Sequence, residues 1–234
     1  MRYPPRLVPV LLVFATTAAA TAAAQVGHPP DRSPYSYIRR GHTITAVGGQ
    51  INGNGGQFGI GPHDGVVFGG RYDLRTSHTI QLGVEVSHGE FDRLIVDPFA
   101  PVNHRVSGPV TQQVTFAELD VQLNLTGEKT WHRIAPFIGS GVGVTFASST
   151  PADTSGFEFG RKAYFAPQAG LRIFLSRRVH LRAEARTAFW KVSYPASFQQ
   201  ATLDQPNAVI TNGRTSEWTA NTWFKFGLGF GFSP

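Results

Sequence analysis

Residues 179–189 read VHLRAEARTAF, and their alternation decides the fold. Val179, Leu181, Ala183, Ala185 and Phe189 share one parity, while Arg182, Glu184 and Arg186 share the other. A period of two belongs to a β-strand whose faces meet different surroundings. A helix would scatter both sets around its circumference.

Outward from this stretch the rhythm recurs about eight times. The preceding strand sets Ala163, Phe165, Ala169, Leu171, Ile173 and Leu175 against Tyr164, Gln168 and Arg172. The following one sets Trp218, Thr222, Phe224, Phe226, Leu228, Phe230 and Phe232 against Asn221, Trp223, Lys225 and three glycines. Earlier strands run from His42 to about Ile51, Asp64 to Leu74, Ile80 to Ser87, Thr115 to Leu125 and Ile134 to Phe146. Each approaches or exceeds the roughly 9–11 residues of a tilted membrane strand. Tight turns at 75–78, 127–132 and 176–178 alternate with long loops at about 52–63, 92–111, 148–161 and 195–216.

Residues 1–24 have the parts of a secretory signal: Arg2 and Arg6, an apolar core LVPVLLVFA, and Ala22–Ala24 before Gln25. That core is shorter than the roughly 20 residues of a spanning helix. Residues 25–41, rich in proline and charge, predict a flexible lead-in, and 42–234 a single barrel domain. The chain has no cysteine, so no disulfide framework is expected. Its net charge of +6 is scattered rather than clustered, which argues against nucleic acid and for lipid phosphates or plain solvation of the rims.

Two architectures share the pattern. A soluble carrier barrel turns its apolar face inward, and a membrane barrel turns it outward. The alternation of short and long connections favours the membrane, as do two levels of apolar-face aromatics. Tyr72, Phe230 and Phe232 sit near the short turns; Phe146, Phe165, Phe189 and Trp218 sit near the long loops. The expected fold is therefore all-β, an eight-stranded antiparallel up-and-down transmembrane β-barrel.

With the apolar face outward, the lumen receives Asp73, Glu85, Glu118, Asp120 and Glu184 together with Arg71, Arg172, Arg182, Arg186 and Lys225. An eight-stranded interior is only wide enough for side chains to fill. The balanced charges predict a plug of salt bridges, with inward glycines at 139, 141, 143, 227, 229 and 231 leaving room for long cations. A wetter, partly open lumen with solvated charges is the alternative.

The eight strands, the leader and the closing segment WFKFGLGFGFSP resemble the small outer-membrane β-barrels, such as the OmpA membrane domain and OmpX. The resemblance covers about residues 42–232 and departs at Ser233 and Pro234, which follow the terminal aromatic. It implies a bacterial outer-membrane location, contact with lipid and lipopolysaccharide, and passage through the barrel-assembly machinery. It carries no active-site motif.

Catalytic residues, a metal site and a cofactor are not expected. Ser87 and His88 are neighbours on a strand and so face opposite ways. His63, Asp64, His104 and Ser107 lie in loops without a defining spacing, and the His-x-Ser of lipid A deacylase barrels is absent. The eight histidines are dispersed, and NGNGGQFGIG at 52–61 has no phosphate-loop Lys-Ser/Thr. Expected roles are structural or surface-interacting through the long loops, then a narrow pore or lateral path for small or apolar solutes, then a lipid A-modifying enzyme.

Overall fold

Strand propensity and period-two patterning are realised throughout the computed structural model, which describes residues 33–39, 41–201 and 207–233. The leader at 1–24 lies outside them. The strands are β1 (Tyr35–Tyr37), β2 (His42–Asn52), β3 (Asp64–Arg75), β4 (Ile80–Val96), β5 (Val106–Asn124), β6 (Lys129–Trp131), β7 (Ile134–Ala147), β8 (Arg161–Phe174), β9 (Val179–Ser193) and β10 (Ser216–Phe232). Eight of them, β2–β5 and β7–β10, pair in sequence order and antiparallel. The barrel closes where Phe224 of β10 pairs with Gln50 of β2. Closure leaves these eight without a free edge, which is what hydrocarbon demands of a spanning sheet.

Two elements differ from expectation. The lead-in contributes β1, which pairs with β6 inside the second short turn, Tyr35 opposite Trp131. The loop expected at 92–111 shrinks to 97–105, because β4 and β5 continue well past the membrane-length core. Their pairing persists through Arg93 opposite Val110, then shifts register and resumes at Ile95 opposite Ser107. At 17 and 19 residues these strands exceed a membrane strand by roughly eight residues. A rise of about 3.3 Å per residue, along a tilted strand, lifts this hairpin about 20 Å beyond its neighbours' membrane segments.

The hidden signal is a change of phase. Low on β4, Leu82, Val84 and Val86 face outward and Glu85 inward; higher up, Glu90 and Asp92 face outward and Phe91 inward. On β5, Leu119, Val121 and Leu123 face outward, whereas Val114 and Phe116 face inward. On this hairpin the short-turn part is built like a membrane barrel and the raised part like a soluble one.

Candidate functional site: a two-layer lumen

Alternation points every second residue of the eight strands inward, so the lumen is a stack of side-chain layers. All ten charged residues expected there are at least 95 % buried. Arg71 Nη2 donates to Asp73 and Asp120, each at 2.6 Å, and Nη1 lies 3.5 Å from Glu85. Arg186 donates through Nη1 to both oxygens of Glu118, at 2.5 and 2.7 Å, and through Nε to Glu184 at 2.5 Å. Arg182 Nε donates to Glu184 at 2.9 Å. Lys225 donates to Glu85 and lies 3.8 Å from Glu184.

These nine groups form one connected net. It resolves a local conflict, since Glu85 and Glu118 are direct cross-strand partners and like charges so placed repel. Arg186 answers both, lying 3.8 Å from Glu85 while it binds Glu118. Forked, charge-assisted bonds are the strong kind. Amides extend the net: Gln122 donates to Asp120 at 2.9 Å, and Gln168 accepts from Arg186 at 2.9 Å.

Arg172 stands apart. It is opposite Arg182 in the β8–β9 register, and no carboxylate pairs with it among the described residues. Its guanidinium donates only to neutral amide oxygens, Gln81 at 2.5 Å and Asn124, and its Nε has no partner. The ten charges thus do not all pair with one another.

Glycines make the space. A Cβ at Gly141 would lie 2.6 Å from the carboxyl carbon of Glu118, and one at Gly143 2.5 Å from the Tyr164 ring. Gly83, which the charge pattern does not single out, leaves the gap filled by Arg71 and Asp120; a Cβ there would sit 2.5 Å from Asp120 Oδ2.

Above the net lies a layer that charge reasoning missed. Phe116 is surrounded by Phe91, Tyr164, Trp190 and Trp223, with ring centroids at 5.7, 6.0, 6.4 and 4.8 Å. Ile60, Phe157, Phe159, Phe198 and Ile210 from the long loops are buried in the same cluster. The readable signal was the inward parity of Phe91, Phe116, Tyr164, Trp190 and Trp223, all toward the long-loop ends. Two residues join the layers. Tyr164 donates its hydroxyl to Glu118 at 2.9 Å, and Arg186 and Lys225 lie 5.7 and 5.4 Å from the Trp223 ring.

Outside, the expected interface aromatics occupy the lipid-facing surface. Tyr72 and Phe230 are exposed at the short-turn end, where His42 accepts or donates at 2.6 Å to the Tyr72 hydroxyl and stacks on Phe232. At the other end Phe165 stacks on Phe189 at 4.9 Å and meets Trp218 edge-on at 6.1 Å, with Phe146 also exposed. Between them runs an apolar belt that includes Ile44, Phe68, Val84, Leu119, Val142, Leu181 and Phe226.

The weighed catalytic groups do not converge. Ser87 is buried in the lumen, and His88 outside pairs with Thr115 Oγ1 at 2.9 Å. His63 and Asp64 are 3.9 Å apart, with no hydrogen bond or ion pair to His104 or Ser107. No metal-like cluster of His, Asp and Glu occurs among the described residues.

Comparison with known proteins is structural only: no protein-family model matches the chain. No curated protein matches it in sequence either. Among solved structures, the chain is similar to Neisserial surface protein A, at 12% identity and a TM-score of 0.51, over 85% of this chain and 99% of that one. The outer-membrane protein OprG of Pseudomonas aeruginosa follows at 12% identity and 0.46, covering 83% and 97%. The N-terminal β-barrel domain of OprF from the same organism gives 14% and 0.44, covering 82% and 98%. At such identities the likeness concerns fold. The protein has the closed eight-stranded antiparallel barrel fold that the first of these bacterial outer-membrane structures shows.

Proposed function

We propose that this barrel is a non-conducting outer-membrane protein with a structural or surface-interaction role. The observation that carries the reading is the two-layer filling of the lumen. A net of nine charged groups lies under an aromatic layer, and loop side chains are buried over that layer. Ion transit would require breaking buried pairs that each cost several kcal/mol to separate. The raised β4–β5 hairpin supports surface contact, since its tip exposes Phe99, Val102 and Val106. Lipid and lipopolysaccharide surround the belt in this reading, the leader at 1–24 is removed on export, and the barrel-assembly machinery inserts the chain.

The test is conductance of the purified protein in planar bilayers. Absence of stable steps is expected; large, salt-resistant unitary currents would overturn the reading and favour a pore. One observation supports that second reading, a cavity of about 480 Å³ at the short-turn end, although it stops beneath the charge net. A lipid A-modifying activity is the least supported role, because among the described residues His88 has Thr115 as its hydrogen-bond partner and no orienting carboxylate. Release of acyl chains from lipid A by the purified barrel would revive it.

A further inference from the structure

The cavity at the short-turn end has a composition unlike the rest of the lumen. Its lining includes Arg39, Arg75, Arg133, Arg172, Arg177 and Arg178, and no aspartate or glutamate. Asp73, deeper in, is bound by Arg71 at 2.6 Å and acts on Arg172 only through space, with no ion pair to it. Glu128, on the neighbouring turn, lies 3.9 Å from His78 and also acts on Arg75. Six guanidiniums line the cavity, and these two carboxylates are the acids nearest to them, so positive charge is in excess at its wall.

Three features indicate a built site rather than a basic rim. Arg172 is 3 % exposed and lines the cavity with its Nε unpartnered, an arrangement that is expensive for a buried cation. Buried His180 beside it leaves Nδ1 unpartnered as well. The turn that presents Arg133 is strained: His132 and Arg133 both adopt left-handed backbone, with φ of 47° and 68°. That geometry makes a two-residue hairpin between Trp131 and Ile134, and it would suit glycine or asparagine far better. Such strain persists where surrounding structure holds it, and it gathers at ligand sites. The lead-in adds to the enclosure, since β1 pairs with β6 and Ser36 to Arg39 form part of the wall.

We propose that this vestibule binds a small polyanion carrying phosphate groups, presented from the periplasmic side. Guanidinium forks match phosphate oxygens in pairs, and several converging forks select for more than one anionic group. A volume of about 480 Å³ accommodates a diphosphate or a small phosphorylated solute. The same chemistry also fits the phosphate of an inner-leaflet lipid headgroup. The inference is independent of conductance, because the cavity lies below the charge net whether or not that net passes ions.

The experiment uses the membrane-extracted protein in maltoside micelles, titrated calorimetrically with sodium pyrophosphate at low salt. Saturable binding that weakens as salt rises is expected. The double variant Arg133→Gln, Arg177→Gln removes two exposed cations from the mouth and should weaken binding at least tenfold, about 1.4 kcal/mol. Its unboiled electrophoretic band should remain compact, which separates loss of the site from loss of the fold. A short-chain phosphatidylglycerol, kept below its micellar concentration, distinguishes the sources. Displacement of pyrophosphate by this lipid assigns the site to a headgroup, and failure to displace assigns it to a soluble anion. No saturable binding by the natural protein, or equal binding by a compactly folded double variant, overturns the proposal.

Discussion

The lower half of this barrel and the raised part of its β4–β5 hairpin use continuous strands with opposite polarity. Below, Arg71, Arg186, Glu118 and Glu184 point inward while Leu119, Leu181 and Phe226 point outward. On the raised hairpin, Phe91 and Val114 point inward while Glu90 and Asp92 point outward. The external solvent accounts for the reversal. Against hydrocarbon the outer face must be apolar, so polar groups are confined to the lumen and must satisfy one another there. Beyond the bilayer the outer face meets water, and burying apolar side chains inside becomes favourable at about 25 cal/mol per Å².

That comparison predicts unequal responses to substitution. Arg186→Met leaves Glu118 and Glu184 buried without their strongest partner; about 4 kcal/mol of stability should be lost, read as a lower urea midpoint in lipid vesicles. An unchanged midpoint would mean that water already solvates those carboxylates. In the upper layer, Phe116→Ala should cost about 3 kcal/mol by opening a cavity among Phe91, Tyr164, Trp190 and Trp223. Its loss should be insensitive to salt. Equal salt dependence of the two variants would erase the distinction between the layers.

A smaller effect concerns the loop at 148–160, anchored by Arg93 Nη2 to Asp153 at 2.7 Å, with Arg93 over Phe157. Burial pushes the Asp153 carboxyl up, yet bonds from Ser155 and Arg93 outweigh it and hold it below its ordinary value. The anchoring is therefore present above the usual carboxylate pKa of about 3.9 and is lost as pH falls through the lowered folded value. Asp153→Asn should speed proteinase K cleavage in this loop at neutral pH while the heat-modifiable band persists. The smallest effect has the opposite sign. His132→Gly relieves a left-handed residue in the β6–β7 turn and should stabilise the barrel by about 1 kcal/mol, measured by the same urea midpoint. Destabilisation would show that the His132 ring, edge-on to Trp131 at 4.8 Å, matters more than the backbone.

Reading the chain as a string recovered the architecture because membrane strands declare themselves by parity. VHLRAEARTAF could only place Arg182, Glu184 and Arg186 together, and the lumen holds all three. The same reading ended β4 too early, at Ser87, because parity of hydrophobicity inverts near Gly89 and an inverted pattern resembles loop. It also treated the ten charges as equivalent. Pairing depends on strand stagger and on which rotamers meet across the lumen, neither of which is written locally. Hence Arg172 was counted with the paired set, whereas it lies opposite Arg182 and lines the vestibule.

The sequence by itself determined that apolar and polar residues segregate onto two faces of eight strands, and that the faces meet lipid and lumen. Period-two alternation depends on backbone geometry alone, so it survives without knowledge of neighbours. Only the tertiary structure decided which carboxylate each guanidinium meets, that aromatics fill the outer half, and that the short-turn mouth gathers unpaired arginines. These follow from closure of the sheet, which brings β4 and β8 side chains such as Gln81 and Arg172 into contact across 91 residues of chain.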